Sequence, residues 1–173
     1  MAVQPTFAEL LAKCQRSAVH LEMRDGYMLD DPNYLAWRNG ERPVPGSRPE
    51  WAHPWYEMVG AVISRGGSVR RARIVSEPIS DYVRFEYDTT DVCNITAGEA
   101  VRWLPRRQAS DLPLPGNDYW LFDDGIVLFN HFDGEGNATF RDTSSDPAVV
   151  ELCRHAFEAV WQRAIPHHEY RPA

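Results

Sequence analysis

Acidic and imidazole side chains gather around one pair of aromatic runs in the sequence. Asp118 precedes the first run, Asp123 and Asp124 end it, and His131 lies in the second. A carboxylate and an imidazole held together across a hairpin could bind a metal or exchange protons with a substrate. We therefore take Asp123, Asp124 and His131 as candidate catalytic residues. The alternative is that the two aspartates form a turn and His131 is an ordinary polar strand residue.

No metal site and no cofactor are expected. A metal needs three or four convergent ligands, whereas His131 and Asp133 offer two on one face of a strand. The three cysteines, Cys14, Cys93 and Cys153, are far apart and have no CxxC spacing, which argues against a zinc site and against a disulfide framework. The sequence also lacks a glycine-rich phosphate loop and a serine nucleophile elbow.

Arginines recur in two predicted strands, and arginine binds phosphate or carboxylate groups with paired donors. Strand alternation places two of them on one face, and aromatic residues lie close by in the sequence. These residues would suit a small anionic or aromatic ligand. The candidate ligand-binding residues are Arg71, Arg73, Arg102, Trp103 and Tyr119. The alternative is that the arginines pair with acids, because the chain has 25 Asp and Glu against 18 Lys and Arg.

Apolar residues at helical spacing predict the helices that would position these groups. Thr6 and Ser80 are placed to cap two helices, and Asp146 followed by proline begins the last one. The predicted helices lie at 7–15, 32–37, 55–65, 81–89 and 147–164. On the fourth of these, Tyr82 and Glu86 would place an acid beside an aromatic pocket, or belong to a core stripe with a charged outer face.

Runs of β-branched and aromatic residues predict the strands, and the strongest hairpin signal turns at Asp124 and Gly125. The predicted strands lie at 18–23, 69–75, 99–105, 117–124, 125–132 and 137–142. The order of elements indicates an α/β fold, with α+β as the alternative, in which helices pack on a single mixed sheet. A proline-rich segment predicts an N-terminal arm and excursion (1–50) before an α/β body (51–173), within one compact domain.

Composition limits the class of protein. The chain has 173 residues, of which 43% are apolar, which suffices for one hydrophobic core. No apolar run has the length of a signal peptide or a membrane helix, so we expect a cytoplasmic protein with no membrane partner. The net charge of −7 disfavours non-specific binding to phosphates, so no direct nucleic-acid partner is expected. A homodimer is left open.

A resemblance covers nearly the full chain and rests on five segments: RSAVHLEMRDGY, RRARIVSEPISDYVRFEY, VRWLPRR, DYWLFDDGIVLF and HAFEAVWQRAIPHHEYRP. With these segments the chain resembles an uncharacterised actinomycete family, a domain of unknown function that is often encoded beside helix-turn-helix regulators. The resemblance implies a regulatory setting and assigns no chemistry.

The order of elements is also similar to one half of the phospholipase-D-like fold. Catalytic halves of that superfamily carry His-x-Lys-x4-Asp before a strand, where the His attacks a phosphate and the Lys neutralises its oxygens. With Asp123 in the acid position, the other two positions fall on Gly116 and Asp118, and a shift to Asp124 supplies neither group. The similarity therefore implies a phospholipase-D-like half domain without catalysis.

We expect a non-catalytic domain that binds a small anionic or aromatic ligand, or a regulatory protein, in a regulatory setting. The alternative is a small cytoplasmic enzyme, a hydrolase, phosphodiesterase or biosynthetic enzyme, that acts on such a molecule with Asp123, Asp124 or His131. The sequence leaves open which of the two applies.

Overall fold

The computed structural model describes residues 4–173 of the chain. Five helices and seven strands, joined by loops and short turns, are found within these residues. The helices are α1 (Phe7–Lys13), α2 (Pro32–Arg38), α3 (His53–Ser64), α4 (Asp81–Thr90) and α5 (Pro147–Arg163). The strands are β1 (Ser17–Glu22), β2 (Ser68–Val75), β3 (Ala100–Pro105), β4 (Tyr119–Phe122), β5 (Ile126–Phe132), β6 (Ala138–Ser144) and β7 (Ile165–Pro166). A wider helical turn, Asp91–Ile95, continues α4.

All seven strands belong to one sheet in the order β6-β5-β4-β1-β2-β3-β7. The pairs β1–β2 and β2–β3 are parallel, and the remaining pairs are antiparallel. The predicted α/β class with a single mixed sheet is thereby confirmed. Strand β1 lies within the segment 1–50 that was predicted as an arm and excursion, and it is the middle strand of the sheet.

The predicted helix starts are confirmed by their capping contacts. The Thr6 hydroxyl accepts a hydrogen bond from the Glu9 backbone N–H at 3.2 Å, and the Glu9 carboxylate accepts one from the Thr6 N–H at 2.8 Å. The Ser80 hydroxyl accepts from the Val83 N–H at 3.1 Å, and α5 is capped in the same way by Asp146. Each cap typically contributes about 1 kcal/mol.

The sheet separates two layers of core, because strand side chains alternate between its faces. On one face, which we call the α5 face, Phe157 packs against Leu21 and Ile74. On the opposite face, which we call the α4 face, α1 and α3 pack on Ala18 and its neighbours, and α4 covers the adjoining strands. The α4 face is the one that carries the polar residues described below.

The end of the chain adds one element that the sequence did not predict. After α5, residues Ile165–Pro166 form β7 on the edge of β3, a strand too short to show any alternation. Tyr170 then stacks on Trp103 with ring centroids 5.6 Å apart. None of the helices described for residues 4–173 has the length and apolar character of a membrane-spanning segment.

Candidate functional site

A cavity of about 640 Å³ lies on the α4 face, between the start of the chain, α4 and the strands β4 to β6. This volume falls within the range of roughly 300–1,000 Å³ that is usual for small-molecule sites. Its walls combine aromatic and ionisable side chains, chiefly Phe7, Trp120, Phe132, Phe140, His20, Glu22, Tyr82, Glu86 and Asp118. A smaller cavity of about 260 Å³ beside α2 has no comparable group of buried acids.

Strand register brings the polar floor of this cavity together. Within the parallel pair β1–β2, His20 lies opposite Arg71, and Glu22 lies opposite Arg73. Within the antiparallel pair β1–β4, His20 lies opposite Trp120. Because residues two apart on a strand share a face, all five side chains stand on the α4 face of the sheet.

Two arginines and two carboxylates form a buried ion network on this floor. The carboxylate of Glu22 accepts hydrogen bonds from both Arg71 and Arg73, and Arg71 Nε also donates to Glu99 Oε1 at 2.7 Å. These four side chains are between 0% and 11% exposed. Burial alone would raise the pKa of Glu22, but the two arginines hold it below its usual range. Glu22 is therefore ionised at neutral pH.

The wider helical turn after α4 completes the network at its far end. Asn94 Nδ2 donates to Glu99 Oε2 at 2.6 Å, and Trp55 Nε1 donates to the same oxygen at 3.1 Å. Thr90, the last residue of α4, accepts from Arg73 Nη1 at 2.9 Å. Since buried charges need such partners, this end of the network is satisfied by the protein itself.

Glu86 is the acid that the network leaves without a donor. Its Oε1 lies 3.5 Å from Arg73 Nη2, and within residues 4–173 no hydrogen bond to its carboxyl oxygens is formed. Burial raises the pKa of Glu86 to about 8; the charges of Glu22 and Asp118 add to this effect, and Arg73 and Arg71 oppose it. The carboxyl of Glu86 therefore carries a proton at neutral pH.

Asp118 is a second acid in the cavity with a raised pKa. It accepts hydrogen bonds from the Tyr27 hydroxyl and, at 2.9 Å, from the Met23 backbone N–H. Burial raises the pKa of Asp118 to about 6, against these two hydrogen bonds and with a contribution from the charge of Glu22. A carboxyl with such a pKa can exchange a proton near neutral pH.

His20 is a buried imidazole with unused hydrogen-bonding capacity. It is 8% exposed, and its ring stacks on Trp120 with centroids 4.2 Å apart. Nδ1 lies 3.3 Å from Glu22 Oε1 but outside hydrogen-bonding geometry, and neither ring nitrogen has a partner within residues 4–173. Burial lowers the pKa of His20 well below its usual value, so the ring is neutral. An unsatisfied buried polar group typically costs about 1–3 kcal/mol.

Asp123 and Asp124 lie away from the cavity, in the turn between β4 and β5. Both have left-handed backbone conformations, with φ of 50° and 54°. The Asp123 carboxylate accepts hydrogen bonds from three successive backbone N–H groups, of Gln15, Arg16 and Ser17, at 2.7–3.0 Å. Burial alone would raise the pKa of Asp123, but these hydrogen bonds lower it. This geometry agrees with the alternative interpretation of the sequence, in which Asp123 and Asp124 form a turn and have no catalytic role.

His131 lies at the rim of the cavity, at the opposite end of β5 from this turn. Its Nε2 is 2.7 Å from Asp142 Oδ1 on β6, and its ring stacks on Phe140. The structure therefore does not bring His131 together with Asp123 or Asp124. The carboxylate–imidazole pair that was predicted across the β4–β5 hairpin is not formed.

The five predicted ligand-binding residues are divided between the two faces of the sheet. Arg71 lines the cavity and Arg73 lies beside it, each paired with buried acids. Trp103 is on the same face but is fully buried in the core. Arg102 and Tyr119 are on the α5 face, where both donate to backbone carbonyls of α5. These five residues do not form one site. Arg71 and Arg73 instead pair with acids of the chain, which was the alternative to a ligand-binding role.

Within residues 4–173 no group of three or more His, Cys, Asp or Glu side chains is placed to hold a metal ion. The residues of the candidate site that the sequence analysis missed are His20 and Glu22. Their signal is present in the sequence, because they occupy alternate positions in the otherwise apolar segment AVHLEM.

The fold and the cavity together define an α/β domain with a mixed sheet, in which buried ion pairs support a small-molecule-sized cavity. The chain belongs to a family described as a domain of unknown function, DUF6879, which matches residues 5–172. Membership in an uncharacterised family is thereby confirmed. A comparison with curated proteins finds no match.

Among solved structures, the chain is similar to TrmBL2, an archaeal chromatin protein described as showing a novel mode of DNA binding. The identity is 15% and the TM-score 0.48, and the match covers 91% of this chain and 48% of that chain. This chain thus spans about half the length of the TrmBL2 chain that it matches. The finding conflicts with our expectation of no direct nucleic-acid partner, which we withdraw. That expectation used net charge, which is a sum over the whole surface and does not describe a local patch.

Proposed function

We propose that the chain is a ligand-binding domain whose cavity on the α4 face takes a small organic molecule with a planar ring. The observation that carries this proposal is the cavity of about 640 Å³ itself, since it combines aromatic walls with the ring nitrogens of His20, which have no partner within residues 4–173, and with a Glu86 carboxyl that accepts no hydrogen bond there. A cavity that combines aromatic walls with fixed polar groups is typical of sites that orient a small molecule.

The rim of the cavity supports the proposal. Phe140 and Met28 line it and are 61% and 48% exposed. Large apolar side chains that stand in water beside a cavity gain free energy when a ligand covers them, by about 25 cal/mol for each Å² removed from water. A planar ring between Phe140 and Trp120 would cover both the rim and the wall.

A small enzyme that acts on such a molecule is a second candidate, and one observation favours it. Asp118 lines the cavity and has a pKa of about 6, which suits a general acid or base. Turnover of a captured ligand by the wild-type protein, with loss of turnover in Asp118→Asn, would favour this candidate. Binding without turnover favours the ligand-binding domain.

The setting of the domain is part of the same proposal. The segments that resemble a family encoded beside helix-turn-helix regulators support a regulatory and cytoplasmic role. An actinomycete origin and a relation to non-catalytic phospholipase-D-like half domains rest on the same resemblances.

Native mass spectrometry tests the proposed function. The purified protein is incubated with a metabolite extract of the source cells, and retained molecules are identified. We expect a small-molecule adduct whose affinity falls about tenfold or more in Phe140→Ala, because the ring loses apolar contact in the cavity. Leu152→Ala, which removes an exposed side chain on α5, is the matched control and should retain the adduct. An adduct equally strong in both variants, or capture of proteins alone, would refute the proposal.

A further inference from the structure

We infer that the ligand of this cavity carries a cationic nitrogen, such as an amine, amidine or guanidine, on or near its ring, and that this group binds against the carboxyl of Glu86. The inference rests on the proposed function and specifies the chemical class of the ligand. Our initial expectation was an anionic or aromatic ligand, and the inference differs from it in the sign of the charge.

The acids of the cavity floor differ in their pairing. Four acids, Glu22, Glu86, Glu99 and Asp118, lie on or beside this floor with two arginines of β2, and the charges of Arg24 and Arg141 also bear on it. Both arginines of β2 donate to Glu22, and Arg71 also donates to Glu99. Asp118 accepts hydrogen bonds from Tyr27 and Met23, whereas Arg73 Nη2 lies 3.5 Å from Glu86 Oε1. Within residues 4–173, Glu86 is therefore the acid of this group whose carboxyl accepts no hydrogen bond.

An anionic group would find the guanidinium donors of the floor itself already engaged. Those of Arg71 and Arg73 bind acids, and Arg141, at the cavity wall on β6, donates its Nε to Asn130 Oδ1 at 2.9 Å. A carboxylate or phosphate placed beside Glu22 and Asp118 would meet like charges in a poorly hydrated site, where repulsion is stronger than in water. A cation at the same place would meet the carboxyl of Glu86, which accepts no hydrogen bond within the described residues.

Two further features of the cavity suit a cation with N–H groups. His20 lines the cavity, is 8% exposed and neutral, and its ring nitrogens have no partner within the described residues. One nitrogen of a neutral imidazole is an acceptor, and it would take an N–H from the ligand. The faces of Trp120, Tyr82 and Phe132 also line the cavity, and aromatic faces attract cations.

Binding of such a cation is coupled to a proton on Glu86. The charged groups that influence Glu86 are Arg71 and Arg73 from β2, Glu22 from β1, and Asp118 before β4; the hydroxyls of Tyr82 on α4 and of Tyr27 also face it. Without ligand the carboxyl is protonated at neutral pH, because its pKa is about 8. A cation placed against it stabilises the carboxylate, so the proton leaves to solvent when the cation binds. About one proton is released for each cation bound at pH 7.

Matched ring compounds test this inference. Phenyl, indolyl and naphthyl rings are each used with an aminoethyl, a hydroxyethyl or a carboxymethyl group, and dissociation constants are measured by NMR titration at pH 7. We expect the amines to bind about 10- to 100-fold more tightly than the alcohols, as a charge-assisted hydrogen bond allows, and the acids to bind most weakly. Calorimetry in buffers of different ionisation enthalpy should show proton release with the amines alone.

Variants separate the role of Glu86 from that of the cavity. Glu86→Gln should reduce the preference for amines to less than about threefold and abolish proton release, while the alcohols keep their affinity. Glu158→Gln, an acid of α5 paired with Arg70 on the other face, should keep the preference. Acids that bind as tightly as amines, or a preference that survives Glu86→Gln, would overturn the inference and leave the proposed function standing. If no compound binds at millimolar concentration, the proposed function fails as well.

Discussion

Replacement of Glu86 by glutamine removes one titratable carboxyl from the cavity floor and keeps its shape. The side chain is 12% exposed, and its pKa in the folded protein is about 8, against 4.5 for an ordinary glutamate. Because the folded pKa is the higher one, the folded chain binds more protons than the unfolded chain between these two values. The free energy of unfolding therefore falls as the pH rises from 4.5 to about 8, and this loss is complete above that range.

The size of the effect follows from this difference. Each pH unit over which the folded chain must hold the proton costs about 1.4 kcal/mol. From the ordinary value of 4.5 up to neutral pH, this amounts to roughly 3 kcal/mol. Glutamine is uncharged at every pH and avoids this cost. Glu86→Gln should therefore raise the free energy of unfolding by roughly 3 kcal/mol at neutral pH and leave it nearly unchanged at about pH 4.5.

Urea unfolding of both proteins at several pH values between about 5 and 9, with a reducing agent present, measures this difference. The control is Glu158→Gln, because Glu158 is 38% exposed and forms its ion pair with Arg70 near the surface; it should change the stability by less than about 1 kcal/mol. If Glu86 were instead ionised and firmly paired with Arg73, its loss would destabilise the protein by about 3–5 kcal/mol. A Glu86→Gln variant that is less stable than wild type at neutral pH would refute the reasoning.

Three further experiments test other parts of the structure. Arg73→Ala leaves Glu22 with one buried cation and should lower the free energy of unfolding, measured in urea, by about 3–5 kcal/mol. The control Arg70→Ala, at a more exposed ion pair, should lower it by about 1 kcal/mol or less. Equal losses of stability in the two variants would contradict the buried ion network. Asp123→Ala removes the acceptor of three backbone N–H groups and should lower the free energy of unfolding by roughly 2 kcal/mol. The folded variant should still bind the ring compounds, and a loss of that binding would contradict a purely structural role of Asp123 in the turn. Burial raises the pKa of all three cysteines to about 11. Cys14 and Cys153, which are buried, should react with Ellman's reagent slowly in the native protein and fast in urea; more than one thiol per chain reacting fast in the native protein would contradict their burial.

The helices and the hairpin could be predicted because their signals are local in the sequence. Thr6, Ser80 and Asp146 each cap a helix within three residues of their own position. The turn at Asp123 and Asp124 likewise depends on adjacent residues and on a backbone conformation that aspartate tolerates. Such signals do not depend on which strands become neighbours.

The cavity could not be predicted because it depends on the order of the strands. Alternation correctly placed Arg71 and Arg73 on one face, but their partner Glu22 comes from β1, 49 and 51 residues away in the chain. Without the knowledge that β1 lies between β2 and β4, no spacing rule joins these residues. Ionisable residues at alternate positions in two otherwise largely apolar strands, His20 and Glu22 on β1 and Arg71 and Arg73 on β2, are the pattern that could have suggested the pairing.

The same pattern led to the expectation of an anion site, because free arginines and paired arginines look alike in a sequence. Five of the six arginines on β2, on β3 or directly after β3 donate to carboxylates: Arg70, Arg71, Arg73, Arg106 and Arg107. Their donors are engaged before any ligand enters. Among the acids, the carboxyl of Glu86 accepts no hydrogen bond within residues 4–173 and so remains available to a ligand.

Stability alone does not account for the arrangement of the cavity floor. Apolar residues of similar volume stabilise a protein interior as well as a buried ion network does, or better. The network satisfies Glu22 and Glu99, yet it leaves a protonated Glu86 and an unpartnered His20 beside an open cavity. Residues that break the rules of a well-satisfied core are expected where a protein binds something. A ligand that supplies a cation and an N–H donor would satisfy both groups at once, and this is the reason for our proposal that the cavity binds a ligand.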